Sequence, residues 1–129
     1  MTSPVTDNAH LPLDHAVILL SNLEQNLPFY AALLPLLGFT RSREHVFANP
    51  DGIHLDFRQA REPDHGYHRH APGLNHLGFT APDRAAIERI AEAMAAAGFE
   101  VPEIQEFPDG SAIFFKDADG MRVEVGAYT

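Results

Sequence analysis

Leu13-Asp14-His15-Ala16-Val17 and Leu74-Asn75-His76-Leu77-Gly78 open two stretches of one chain that follow the same plan. The first runs on to Leu37-Gly38-Phe39 and the second to Ala97-Gly98-Phe99; His15 to Phe39 spans 24 positions and His76 to Phe99 spans 23. Each then reaches a turn and a strand that carries a carboxylate. In the first this is Asp51-Gly52-Ile53-His54-Leu55-Asp56, and in the second Asp119-Gly120-Met121-Arg122-Val123-Glu124. A duplicated unit with a histidine on its first strand and an acid on its last can bring two such pairs to one place, which is a way for a small protein to build a metal site.

Within the first copy, Leu13, His15, Val17 and Leu19 alternate with Asp14, Ala16 and Ile18, a pattern that predicts a strand covered on both faces. Ser21-Asn22-Leu23-Glu24 has the spacing of a capping box, with Ser21 as the cap. The helix that follows must take Pro28 in its first turn or kink there, and Phe29, Tyr30, Leu33, Leu34 and Leu37 give it an apolar stripe that ends at Gly38. Short strands are expected over 40–44, 45–49 and 53–59, with Pro50-Asp51-Gly52 as the turn before the last.

The second copy is cleaner. Residues 75–80 read as a strand, and Pro82-Asp83 opens an alanine- and glutamate-rich helix through Ala97, closed by Gly98. Strands are expected near 101–107, 112–117 and 122–127, with Asp109-Gly110 and Asp119-Gly120 as turns. Each half is therefore β-α-β-β-β, and the fold class is α+β. The chain divides into a polar tail (1–10), a first module (11–60), a linker (61–73) and a second module (74–129). The linker carries Pro63, Gly66, Pro72 and Gly73 together with His65, His68 and His70, the composition of a loop lying over a site.

The 129 residues suffice for one domain with a core, or for two small modules that share one. Nine Lys and Arg against eighteen Asp and Glu give a net charge of −9, which argues against nucleic acid or an anionic membrane as partner. The chain has no cysteine, so it has neither disulfides nor a thiolate zinc site, a composition that fits the cytoplasm. No apolar run approaches the roughly 20 residues of a membrane helix.

Side-chain direction selects the chemistry. Alternation along a strand puts 54, 56 and 58 on one face and 122, 124 and 126 on another. With Val123 and Val125 turned toward the helix, Glu124 faces the concave side of the sheet, and His15 and His76 hold matching places at the start of each unit. Two imidazoles and a carboxylate are a minimal donor set for a divalent metal: zinc, or iron with open positions. Arg58 is the candidate anion clamp for a substrate, and Tyr67 and Tyr128 are candidates to orient a substrate oxygen. Phe47, Phe57, Phe79, Phe107 and Phe114 make either the wall of a cup or plain core.

The stretches around His15, Phe29-Tyr30, Leu37-Gly38-Phe39, His76 and Phe115-Lys-Asp-Ala-Asp-Gly120-Met-Arg-Val-Glu124-Val resemble the vicinal oxygen chelate superfamily over about 11–127. That group includes glyoxalase I, extradiol dioxygenases, and fosfomycin- and bleomycin-resistance proteins. The resemblance implies two β-α-β-β-β modules forming a cupped mixed sheet around a divalent metal (Fe, Mn, Zn or Ni) held by His15, His76 and Glu124. It implies a fourth ligand on the closing strand of the first copy, where counting from the turn glycine selects Asp56 and matching the apolar neighbours selects His54. It implies a homodimer in which modules are exchanged between chains. It also implies a small-molecule substrate that chelates the metal through adjacent oxygens, with Glu124 as the group that moves a proton. The reaction class stays open between lyase, isomerase and ring-cleaving dioxygenase. The alternative is a metal-free module that sequesters a drug-like ligand, as bleomycin-resistance proteins do. No basic cluster suited to glutathione's carboxylates accompanies the site.

Overall fold

A computed structural model describes residues 10–129. All but the last residue of the tail expected over 1–10 lies outside the described residues. The first module consists of β1 (His15–Leu20), α1 (Leu23–Leu36), β2 (Thr40–Arg43), β3 (Val46–Ala48) and β4 (His54–Gln59). The second consists of β5 (His76–Thr80), α2 (Arg84–Ala96), β6 (Gln105–Phe107), β7 (Gly110–Lys116) and β8 (Arg122–Tyr128). Each module is a four-stranded mixed sheet, in the orders β1-β4-β3-β2 and β5-β8-β7-β6. The two central pairs, β1 with β4 and β5 with β8, are parallel, and the helix of each module is the crossover that a parallel pair requires.

The helices begin and end for local reasons. Asp83 caps α2 by accepting from the Ala86 N–H at 2.8 Å, and Gly38 and Gly98 take up the left-handed conformation just beyond α1 and α2. The cap of α1 is Asn22, whose side chain accepts from the Gln25 N–H at 3.0 Å, and not Ser21 as the capping-box spacing suggested. Ser21 is drawn off by a stronger acceptor, the Asp119 carboxylate, to which both its N–H and its hydroxyl donate. Pro28 sits in the second turn of α1 and Pro35 near its end, each removing one N–H donor from the helix. Burial of Phe29, Tyr30, Leu33 and Leu34 offsets that loss. In the second module β6 begins later than the 101–107 pattern suggested, after Pro102, a residue that cannot donate to a sheet ladder.

Both modules contribute to one continuous core. Tyr30, Leu33 and Phe57 from the first lie with Ile87, Phe115 and Val123 from the second, all buried. Edge-on ring contacts join the halves, Phe29 with Phe99 at 6.0 Å and Phe39 with Phe79 at 5.8 Å. The β7–β8 turn is clasped by α1. Asn26 Oδ1 accepts from the Ala118 N–H at 2.7 Å, its amide donates to Asp119 at 3.1 Å, and the Tyr30 hydroxyl donates to Asp117 at 2.6 Å.

The cover expected for the first strand is corrected as well. β1 is not covered on both faces: Ile18 and Leu20 point into the core, but Val17 and Leu19 remain 43% and 60% exposed, with Leu13 65% exposed just upstream. The reason is layer geometry. The helices cover only the inner face of each sheet, and β1 and β5 are edge strands with no neighbour on their outer side.

Candidate functional site

Glu124 leaves the core because its neighbours enter it. Val123 and Val125 are buried against the helix layer, so period-two alternation turns Glu124, Arg122, Gly126 and Tyr128 to the opposite, open face of the second sheet. On the adjacent parallel strand His76 pairs in register with Arg122, and Gly78 pairs with Glu124, leaving the carboxylate uncrowded. His76 Nε2 lies 3.0 Å from Glu124 Oε1.

Each partner of that contact is oriented from behind. His76 Nδ1 meets Asn75 Oδ1 at 2.8 Å, while the Asn75 amide donates to the Arg69 carbonyl at 2.8 Å. That second bond fixes which way the Asn75 side chain points, and so makes Nδ1 the donor toward it. On the other side the Tyr128 hydroxyl donates to Glu124 Oε2. Its bond to the carboxylate is the chief reason this hydroxyl is pushed up to about 12. Nε2 and Oε1 are left facing one another, two groups that both attract a positive charge between them. The orienting partners are of the kind that surround metal-ligating imidazoles and carboxylates, so the donors fit a divalent ion.

Gly126 is required for this arrangement. A Cβ there would fall 2.4 Å from the Tyr128 ring and 3.0 Å from Glu124 Oε2. The ring therefore occupies the space that any other side chain at 126 would need.

The first sheet carries a matching but separate group. His15 and His54 are register partners on β1 and β4, with ring centres 6.1 Å apart and the rings stacked. Asp14 accepts from His15 Nδ1 at 2.6 Å, and this bond holds the Asp14 carboxyl below its usual range. Asp56 shares the open face with His54 but is held by Arg58, whose Nε and Nη2 donate to Oδ2 at 3.1 and 2.7 Å. Arg58 thus spends its fork on a neighbour, at the rim of a cleft of about 570 Å³ that also touches Leu19, Ser21, Tyr67 and Asp119.

Among the described residues, no three His, Asp or Glu side chains of the single chain gather where they could hold a metal ion. The chain presents two incomplete donor groups, His15 with His54 and His76 with Glu124, on the open faces of two different sheets.

The remaining sequence candidates separate clearly. Phe47 and Phe57 are core, and Phe79 packs against it. Phe114 stands beside His76 with centroids 5.7 Å apart, and Phe107 lies near Tyr128 at 6.4 Å. Tyr67 pins the linker by donating to the carbonyls of Leu74 and Asn75 at 2.6 and 2.8 Å. His65, His68 and His70 are exposed on that linker. Sequence reasoning overlooked Arg122, Asn75 and Gly126 as parts of the His76 group; the signal available for Arg122 and Gly126 was their place two residues either side of Glu124.

The chain belongs to the glyoxalase/bleomycin resistance protein/dioxygenase superfamily, whose family model matches residues 12–125. It is 30% identical over 125 residues to the uncharacterized protein YqjT of Bacillus subtilis (strain 168), covering 89% of this chain and 98% of that one. Among solved structures it resembles a glyoxylase/bleomycin resistance protein/dioxygenase domain from Frankia sp. EAN1pec, with TM-score 0.71, 20% identity and 93% of each chain covered. It also resembles the fosfomycin resistance protein FosX from Mesorhizobium loti, with TM-score 0.64, 20% identity and 92% of each chain covered. At that identity the two structures share the fold with this chain. No helix among the described residues is long and apolar enough to cross a membrane.

Proposed function

We propose that this protein is a metal-dependent enzyme of the glyoxalase/dioxygenase type, acting on a small molecule that presents two adjacent oxygens. His76 and Glu124 hold the ion from one side. His15, with His54 or Asp56, holds it from the other, supplied by a second copy in a homodimer. The observation that carries this reading is the aimed pair His76 Nε2 and Glu124 Oε1, 3.0 Å apart, each oriented by an outer partner. The homodimer is supported by the free edges of β1 and β5 and by the uncovered row Leu13, His15, Val17 and Leu19.

A bound divalent ion supplies charge stabilisation for oxygens on which negative charge develops. The chain's own residues do the rest. Glu124 is the residue that moves a proton, and Tyr128 holds its Oε2 in place. Asn75 keeps the His76 ring from turning. Phe114 and Phe107 place apolar rings beside His76 and Tyr128 on the open face of the second sheet. Whether the reaction is lyase, isomerase or oxygenase chemistry follows from the metal. Iron favours oxygenation, whereas nickel or zinc favours isomerisation.

The test is metal analysis of protein purified without chelator and then reconstituted with Fe(II), Mn(II), Ni(II) or Zn(II). Uptake near one ion per chain that disappears in His76→Ala and Glu124→Gln supports the reading. Uptake below about a tenth of an ion per chain with every metal overturns it and leaves the metal-free, ligand-sequestering alternative.

A further inference from the structure

Arg122 stands out among the cations of this acidic chain. Its guanidinium is partly buried, and Nε is enclosed with no hydrogen-bond partner. Its polar contact is a long one, Nη2 to Asn75 Oδ1 at 3.3 Å, and its carbon lies 5.1 Å above the Phe114 ring. The ion pairs among the described residues take Arg58 and Arg84, and none takes Arg122. A guanidinium partly withdrawn from water and without a carboxylate partner is stabilised by an anion at its reachable Nη groups.

Its position says which anion. Arg122 lies between His76 on β5 and Lys116 on β7, in register with both, so three basic side chains cross the open face of the sheet at one level. Glu124 is the acid on that face, two residues along β8, and it is already engaged by His76 and Tyr128. The two Nη groups of a guanidinium form an end-on fork that matches the two oxygens of a carboxylate or phosphonate. Phe114 beneath the fork offers a flat apolar surface, and Gly78 leaves the floor beside Glu124 uncrowded.

We propose that Arg122, supported by Lys116, is the substrate-anion site, and that the molecule acted on is a small oxyanion with its charged group next to the chelating oxygens. This deepens the proposed function and rests on it for the location of the reacting oxygens. The anion site itself is testable without metal.

The experiment titrates full-length protein with salicylate, with its neutral isostere salicylamide, and with phenylphosphonate, following backbone amide shifts and heat. It is done with metal-free protein and again after metal loading. Salicylate or phenylphosphonate binding at least about tenfold tighter than salicylamide, with that preference abolished in Arg122→Gln and partly kept in Arg122→Lys, is the expected result. The stronger of the two anions identifies carboxylate or phosphonate as the group recognised. Equal binding of charged and neutral probes, or a preference that survives Arg122→Gln, overturns the proposal. A weakened dimer in Arg122→Gln with the anion preference unchanged overturns it as well, because the partner of Arg122 is then a carboxylate of the second copy. Thermal midpoints of both variants separate loss of binding from loss of fold. If no metal binds but the metal-free protein shows the Arg122-dependent preference, the anion site stands and the metal reading falls.

Discussion

The Tyr30 hydroxyl donates to Oδ2 of Asp117 at 2.6 Å, joining the middle of α1 to the β7–β8 turn across 87 positions of sequence. Both groups are buried. Burial, and then the Asp117 charge, push the Tyr30 hydroxyl far up. Burial also raises the Asp117 carboxyl above 3.8, although bonds from Tyr30 and from the Met121 and Asp119 N–H groups pull the other way. The folded protein therefore keeps this proton over a range where the unfolded chain has lost it. The stability due to this group is fully present below 3.8 and declines as pH rises through the raised folded value. Tyr30→Phe removes a bond that favours the ionised form, so the decline should extend to higher pH. Near neutrality the variant should lose about 1–3 kcal/mol, and less in acid. Urea denaturation across that range measures both effects; an unchanged pH slope would show that the bond does not set the Asp117 proton.

If His15 of one chain meets His76 of another, the two histidines can be separated by mixing. His15→Ala and His76→Ala should each fail to take up metal alone. Unfolded together and refolded as an equal mixture, they form mixed dimers in which one site is intact and the other lacks both histidines. Metal content should then recover to about a quarter of the wild-type value per chain. No recovery would place both ligands in one chain or disprove their shared role.

Gly126 and Tyr128 should act as a unit. Gly126→Ala puts a methyl carbon 2.4 Å from the Tyr128 ring, so the ring must swing away and its hydroxyl must leave Glu124. Tyr128→Phe removes the same hydrogen bond without the clash. Both variants should weaken metal binding by about 10- to 100-fold, as loss of an outer partner does. The double variant should be no worse than the poorer single one, since both remove one contact. Competition with a fluorescent chelator gives the affinities; additive losses would mean that Gly126 matters in some other way.

Much of this arrangement was legible in the chain. Asp83 and Gly98 bracket α2 through local chemistry, and the Val123-Glu124-Val125 alternation turned Glu124 outward without knowledge of anything distant. What failed was set by contacts remote in sequence. Ser21 has the spacing of a cap, but Asp119, 98 positions away, takes its N–H and its hydroxyl. The β1 alternation looks the same whether its outer face is covered by its own chain, by another copy or by nothing. Arg58 and Arg122 each stand two residues from an acid on their own strand, Asp56 and Glu124. Only the register of the neighbouring strands separates them: Arg58 folds back onto Asp56, whereas Glu124 is taken by His76 and Tyr128 and leaves Arg122 without a carboxylate.

That same register bears on the fourth ligand. His54 and Asp56 point from the same face of β4, so sequence spacing could not separate them. His54 lies directly across from His15, with the rings stacked at 6.1 Å, whereas Asp56 lies one step further along and both donors of the Arg58 fork rest on its Oδ2. Moving Asp56 onto a metal would require breaking that pair. The pair is partly exposed and so contributes little to stability, but it already satisfies the carboxylate. His54→Ala should therefore lower metal affinity by at least about tenfold, and Asp56→Asn should leave it within about twofold. Metal titrations of the two variants decide the matter, and the reverse order of effects would give the position to Asp56, with Arg58 as the group displaced on binding.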